Sequence, residues 1–144
     1  MKKIPTLFER IFENYKKVGI LPNVAPEMEW VLEGKGIATV KYDGSCCAII
    51  DGKFYKRYDA TTEADIFEGS YEAIGIHFNG NKYNLDKDIL VRHGDNIIEV
   101  ERTFDGIKKY LEEHNIEGIV FWNDGEPKCK IKRSDFGFCW PMKK

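Results

Sequence analysis

The chain has 144 residues, and its 22 Lys+Arg against 24 Asp+Glu give a formal net charge of −2. Hydrophobic residues make up 42% and charged residues 32%, an ordinary globular balance, with a mean hydropathy of −0.45. That balance excludes binding of nucleic acid by bulk charge, and the absence of a long apolar run excludes a membrane-spanning helix. One domain over 1–144 is expected at this length, taken as a monomer, and the charged opening Met1-Lys2-Lys3-Ile4-Pro5 has no apolar signal core, so a cytoplasmic protein is expected.

In chain order, Ile4, Leu7, Phe8, Ile11, Phe12 and Tyr15 fall at helical i, i+3, i+4 spacing, which predicts a packing helix stopped by Gly19 and Pro22. A loop from Pro22 to Gly36 follows, with an apolar patch at Met28, Trp30, Val31 and Leu32. Ile37–Val40 reads as a strand, then a Lys-Tyr-Asp-Gly turn, then Cys46–Ile50 and Lys53–Arg57 as a hairpin about Asp51-Gly52. Asp59 to Glu72 is acidic and reads as a solvated loop entering a strand at Tyr71–Ile76, and Asn79-Gly80-Asn81 turns the chain again. Ile97–Glu101 reads as a strand, and Thr103 caps a helix to about Asn115. A second hairpin joins Gly118–Trp122 to Lys128–Lys132 through Asn123-Asp124-Gly125. The sum is a sheet-rich α+β chain.

Four cysteines stand at Cys46, Cys47, Cys129 and Cys139. Adjacent Cys46 and Cys47 point to opposite faces of a strand, and no C-x-x-C-like spacing exists, so small core residues in a reducing compartment are expected. His77, His93 and His114 are too scattered to suggest a ligand set.

Chemistry concentrates at a few places. Lys41 ends a strand and Gly44 lets a ligand approach the backbone, although K-x-D-G alone is also a common surface turn. A nucleophilic lysine must lose its proton, which at an ordinary pKa of about 10.4 requires nearby positive charge or burial. Lys128, Lys130 and Lys132 leave one face of their strand; they suit a phosphate chain, or equally a lysine-guarded sheet edge. Glu72, Glu99, Glu101 and Glu117 lie on or beside apolar strands, where a carboxylate is either solvent-facing or set against a metal, a hydroxyl or a cation. Six basic residues against two acids in 126–144, and five against two in 1–20, place local positive charge at both ends, for a phosphate backbone or merely for solubility. Tyr55, Tyr58 and Trp122 are aromatics that stack on bases or serve the core.

The order of these features resembles the motif series of the covalent nucleotidyltransferases, the ATP-dependent ligases and mRNA-capping enzymes. More closely, Lys41-Tyr42-Asp43-Gly44-Ser45-Cys46-Cys47, Tyr71-Glu72-Ala73-Ile74-Gly75 with Asn79-Gly80-Asn81 following, Arg102-Thr103-Phe104-Asp105-Gly106, and Lys130-Ile131-Lys132-Arg133 before Cys139-Trp140-Pro141 are similar to the small single-domain RNA ligases that include the animal 5′–3′ RNA ligase. The resemblance implies a nucleotidyltransferase fold of antiparallel sheets and flanking helices around a nucleotide cleft. It implies Lys41 as the nucleophile that becomes lysyl-AMP, and Asp43 and Glu117 as metal-holding acids for Mg²⁺ or Mn²⁺. Glu72 is implied at the nucleotide ribose, Arg57 at the ribose or an incoming 5′-phosphate, Gly44 beside the ligand, and Lys130 and Lys132 at the α-phosphate. ATP and RNA ends carrying 5′-phosphate and 3′-hydroxyl are the implied substrates. Two features depart from the wider superfamily. Ser45-Cys46 replaces an Arg or Asn common after the motif glycine, and the twelve residues after Lys132 leave no room for an OB domain. The alternatives are a capping-type guanylyltransferase and a non-catalytic module that binds nucleotide or RNA ends.

Overall fold

The computed structural model describes residues 4–56, 60–63 and 69–142. It is an α+β protein with mostly antiparallel sheets and few helices. Among the described residues, no helix is long and apolar enough to cross a membrane. The chain divides into two compact units, one of residues 42–95 and the other of residues 4–41 with 96–142.

The second of these units opens with a hairpin of β1 (Phe8–Glu13) and β2 (Lys16–Val24), where the apolar spacing predicts a helix. Leu7 and Phe8 are fully buried, but Ile11, Phe12 and Tyr15 are exposed, so the helical stripe has no core to face. Asn14 and Tyr15 form the turn, both at positive φ (50° and 66°), as a two-residue hairpin of the I′ kind requires. Pro22 falls in the irregularity between the Phe8↔Val24 and Arg10↔Ile20 pairings, so a proline fits inside the strand span. A two-stranded ribbon is marginal alone. This one is tied down by Leu7 and Phe8 in the core, by Ile20 and Val24 packed against it, and by Lys17 on Asp135 at 2.5 Å.

The same unit carries a four-stranded sheet of β3 (Ile37–Lys41), β9 (Ile97–Ile98), β10 (Gly118–Asn123) and β11 (Glu126–Lys132), in the order β11-β10-β3-β9. The expected loop before β3 contains a short helix, α1 (Glu29–Leu32), which buries Val31. The strand at Ile97 is shorter than expected: it stops at Ile98, and the Thr103 N–H donates to the Glu101 carbonyl as the chain turns into α2 (Phe104–Glu113). The Thr103 Oγ1 accepts the Gly106 N–H at 2.9 Å, as expected of the cap. Ile107 and Leu111 of α2 join Leu7, Phe8, Val31, Ala38, Ile119, Phe121, Cys129 and Ile131 in one core. Each large side chain buried this way contributes roughly 1.5–3 kcal/mol. Buried Arg133 closes the end of α2 by donating to the Leu111 and His114 carbonyls and to that of Cys139. Arg102, over the Phe121 ring, donates to the carbonyls of Val31, Lys35 and Gly36 and so ties the α1 loop to β3.

The first unit is a five-stranded antiparallel sheet in the order β6-β5-β4-β7-β8, from β4 (Ser45–Ile50), β5 (Lys53–Lys56), β6 (Ala60–Glu63), β7 (Gly69–Ile74) and β8 (Ile89–Arg92). The β4–β5 hairpin turns at Asp51-Gly52, as read from the sequence. β6 lies in the stretch read as a loop, and β8 was not anticipated. Cys47, Ile49, Tyr71 and Ala73 form the core on one face of this sheet. Cys47 and Cys129 are thus the expected core thiols, and burial pushes them up to about 11 and about 12. Cys46 is half-buried and Cys139 exposed, contrary to that expectation.

Tyr15 is fully exposed and occupies a left-handed position that favours glycine. Tyr15→Gly is therefore expected to stabilise the chain by about 1 kcal/mol. A urea midpoint that fails to rise would show that this turn is not left-handed.

Candidate functional site

The four-stranded sheet brings together the sequence-predicted residues Lys41, Glu117, Lys130 and Lys132. Gly118 on β10 is opposite Lys41 on β3 and opposite Lys132 on β11, so the two lysines flank it in one cross-strand row. The next row on the same face is Thr39, Val120 and Lys130. Alternation sends Ala38, Ile119, Phe121, Cys129 and Ile131 to the other face, into the core. That apolar face fixes which way the lysines point.

β11 ends the named sheet, but its outer edge is covered. The Leu7 N–H donates to the Lys130 carbonyl at 2.7 Å, and the Lys130 N–H to the Pro5 carbonyl at 3.0 Å. An exposed edge guarded by lysines is therefore not the explanation for Lys130.

Lys41 is 22% exposed and donates from Nζ to the Glu117 carboxylate at 2.8 Å, with Glu117 15% exposed. Lys130 is held below the ordinary lysine range, first by burial and then by the charges of Lys41 and Lys132, with Glu117 and Asp135 acting the other way. Asp135 is buried, pairs with Lys17, and accepts the Lys132 N–H at 2.8 Å. Lys17, Lys41, Lys130 and Lys132 thus outnumber Glu117 and Asp135 locally. Chemically this is an amine positioned by a carboxylate, with surplus positive charge able to receive phosphate oxygens. Toward β9, the Trp122 indole N–H donates to Thr39 Oγ1 at 2.9 Å, which holds that aromatic against the sheet.

Asp43, Gly44 and Glu72 belong to the five-stranded unit. The Asp43 carboxylate pairs with Lys82 and accepts from Asn79 Nδ2 at 2.9 Å, while its N–H donates to the Tyr83 hydroxyl at 2.7 Å. Gly44 has a packing reason to be glycine, since a Cβ there would stand 2.0 Å from the Ala73 carbonyl oxygen. Glu72 is buried within β7, with Cys46 and His93 close by. Arg57 and Tyr58 lie outside the described residues, as do Lys2, Lys3, Lys143 and Lys144 of the basic ends.

Lys82, Tyr83, Lys17 and His93 were not singled out from sequence. Each acquires its partner across 23 to 118 positions, so no local spacing could announce it. No protein-family model matches the chain, and no curated protein matches it.

The charges around Lys130 set the direction of two shifts. Lys41→Met removes a cation that disfavours the Lys130 ammonium, so the Lys130 pKa should rise; Glu117→Gln removes a favouring carboxylate, so it should fall. Titration of the Lys130 side-chain methylene signals by NMR checks both, and a value unmoved in both variants would contradict this grouping.

Proposed function

We propose that the chain is an ATP-dependent RNA ligase on a nucleotidyltransferase fold, with Lys41 as its nucleophile. The observation that carries the reading is the Lys41 amine at the end of β3, 2.8 Å from Glu117 and sharing a sheet face with Lys130 and Lys132. The ordered motifs from Lys41 to Lys132 support it independently of that geometry.

An attacking amine must give up its proton, so Lys41 has to leave its ion pair with Glu117 before it reacts. Lys41 Nζ attacks the α-phosphorus of ATP and gives up a proton; an N–P bond forms, the bond to the β-phosphate oxygen breaks, and pyrophosphate leaves with the electron pair. An oxygen of an RNA 5′-phosphate then attacks the same phosphorus, breaking the N–P bond, and the lysine nitrogen takes back a proton. In the last step a 3′-hydroxyl attacks the activated 5′-phosphate and AMP leaves. Lys130 and Lys132 hold the α-phosphate and stabilise the charge that develops on its oxygens.

The resemblance assigns Asp43 and Glu117 to a divalent metal, and each separately offers hard carboxylate oxygens of the kind that suit Mg²⁺ or Mn²⁺. Such an ion neutralises phosphate charge when bound. The resemblance assigns Glu72 to the nucleotide ribose and Arg57 to ribose or RNA phosphate. We place the enzyme in the cytoplasm as a monomer; the four cysteines, none in a disulfide among the described residues, suit a reducing compartment.

Intact-protein mass after incubation with ATP, Mg²⁺ and pyrophosphatase tests the covalent step. The wild-type chain should gain one AMP and Lys41→Met none, while Glu117→Ala should adenylylate about 100-fold more slowly with its circular dichroism preserved. Adduct formation with GTP but not ATP would replace this reading by a capping-type enzyme. Nucleotide or RNA affinity without any adduct would replace it by a binding module.

A further inference from the structure

We propose that Cys46, Glu72 and His93 form a binding site for a zinc-like divalent metal ion. The strand register assembles it. Cys46 on β4 is directly opposite Glu72 on β7, and Glu72 is opposite Val91 on β8. His93 lies two residues beyond Val91, and its N–H donates to the Ser70 carbonyl at 3.0 Å, which extends the β7–β8 pairing. Side chains on strands alternate, so positions 46, 72 and 93 share one face, opposite the face that carries Cys47, Tyr71 and Ala73.

The donor atoms fit one ion. The thiol sulfur, a carboxylate oxygen and an imidazole nitrogen all lie within 4.8 Å of one another. Ligands of a tetrahedral zinc stand roughly 3.3–3.8 Å apart, given metal–ligand bonds of about 2.0–2.3 Å. His93 Nε2 and Glu72 Oε1 are 3.7 Å apart, too long for a hydrogen bond and within that range.

A second observation points to a ligand. Glu72 is 9% exposed, and its Oε1 is buried without a hydrogen-bond partner among the described residues. A buried carboxylate oxygen without a hydrogen bond is costly, and a metal ion shared with the neighbouring donors would relieve it. His93 Nδ1 lies 2.9 Å from Ser70 Oγ. With the proton on Nδ1 and donated to that hydroxyl, Nε2 presents its lone pair on the Glu72 side, as metal-ligating histidines require. The mixed S, N and O set selects zinc-like metals over magnesium, which demands oxygen. Three protein ligands leave one tetrahedral position for water or a substrate atom.

This site does not rest on nucleotidyl transfer. A carboxylate has two oxygens, so a metal on Glu72 Oε1 leaves the other for the ribose contact that the resemblance implies.

The test uses the reduced, metal-free full chain titrated with Co²⁺, with no nucleotide or RNA. One equivalent should develop thiolate-to-cobalt charge-transfer and tetrahedral visible bands, which stoichiometric Zn²⁺ abolishes and excess Mg²⁺ leaves intact. Cys46→Ser should lose the charge-transfer band and Cys139→Ser keep it, while His93→Gln should weaken binding at least tenfold. Because a variant can lose its fold, Zn²⁺ protection of wild-type thiols from alkylation is mapped as well: Cys46 should be shielded and Cys139 should react as before. No cobalt spectrum at saturation, a spectrum that follows Cys139, or alkylation of Cys46 unaffected by Zn²⁺ would overturn the proposal.

Discussion

Everything around Lys41 depends on one cross-strand row, Lys132–Gly118–Lys41. Neighbouring strands stand about 4.8 Å apart, so two strands separated by a third place their lysines within reach of one phosphate group. Gly118 makes the row workable. A Cβ on it would stand 2.4 Å from the Ile131 carbonyl oxygen, so a side chain would push β10 and β11 apart. Glu117, one residue earlier, then meets the Lys41 amine where β10 begins.

Three hairpins show how much of the fold the residues disclose. Asp51-Gly52 and Asp124-Gly125 both take positive φ, and both turns are readable because glycine and aspartate tolerate that conformation. The third turn, Asn14-Tyr15, has the same geometry with a tyrosine where glycine is favoured, so its signal is absent. Worse, the apolar residues around it happen to repeat at helical spacing, and only the lack of anything to cover Phe12 and Tyr15 reveals the ribbon. Periodicity reports a face; whether that face meets a core is a tertiary fact.

The candidate site divides along the same line. Lys41, Lys130 and Lys132 are legible because each belongs to a strand whose other face is apolar, so alternation orients them, and Glu117 directly precedes such a strand. Residues that depend on pairing between distant strands are not. Cys46 and His93 look unrelated until β4, β7 and β8 are set in register, and the partnership of Lys17 with Asp135 requires the hairpin that the spacing disguised.

The lysines of β11 have a consequence for the strand itself. A slip of one residue against β10 would turn Lys128, Lys130 and Lys132 into the core and bring Cys129 and Ile131 out to water. Three ammonium groups cannot be buried there together, so the charges that suit a phosphate also act as a ratchet on the pairing. A sequence that replaced all three with apolar residues would lose the reason for β11 to prefer one alignment over the next.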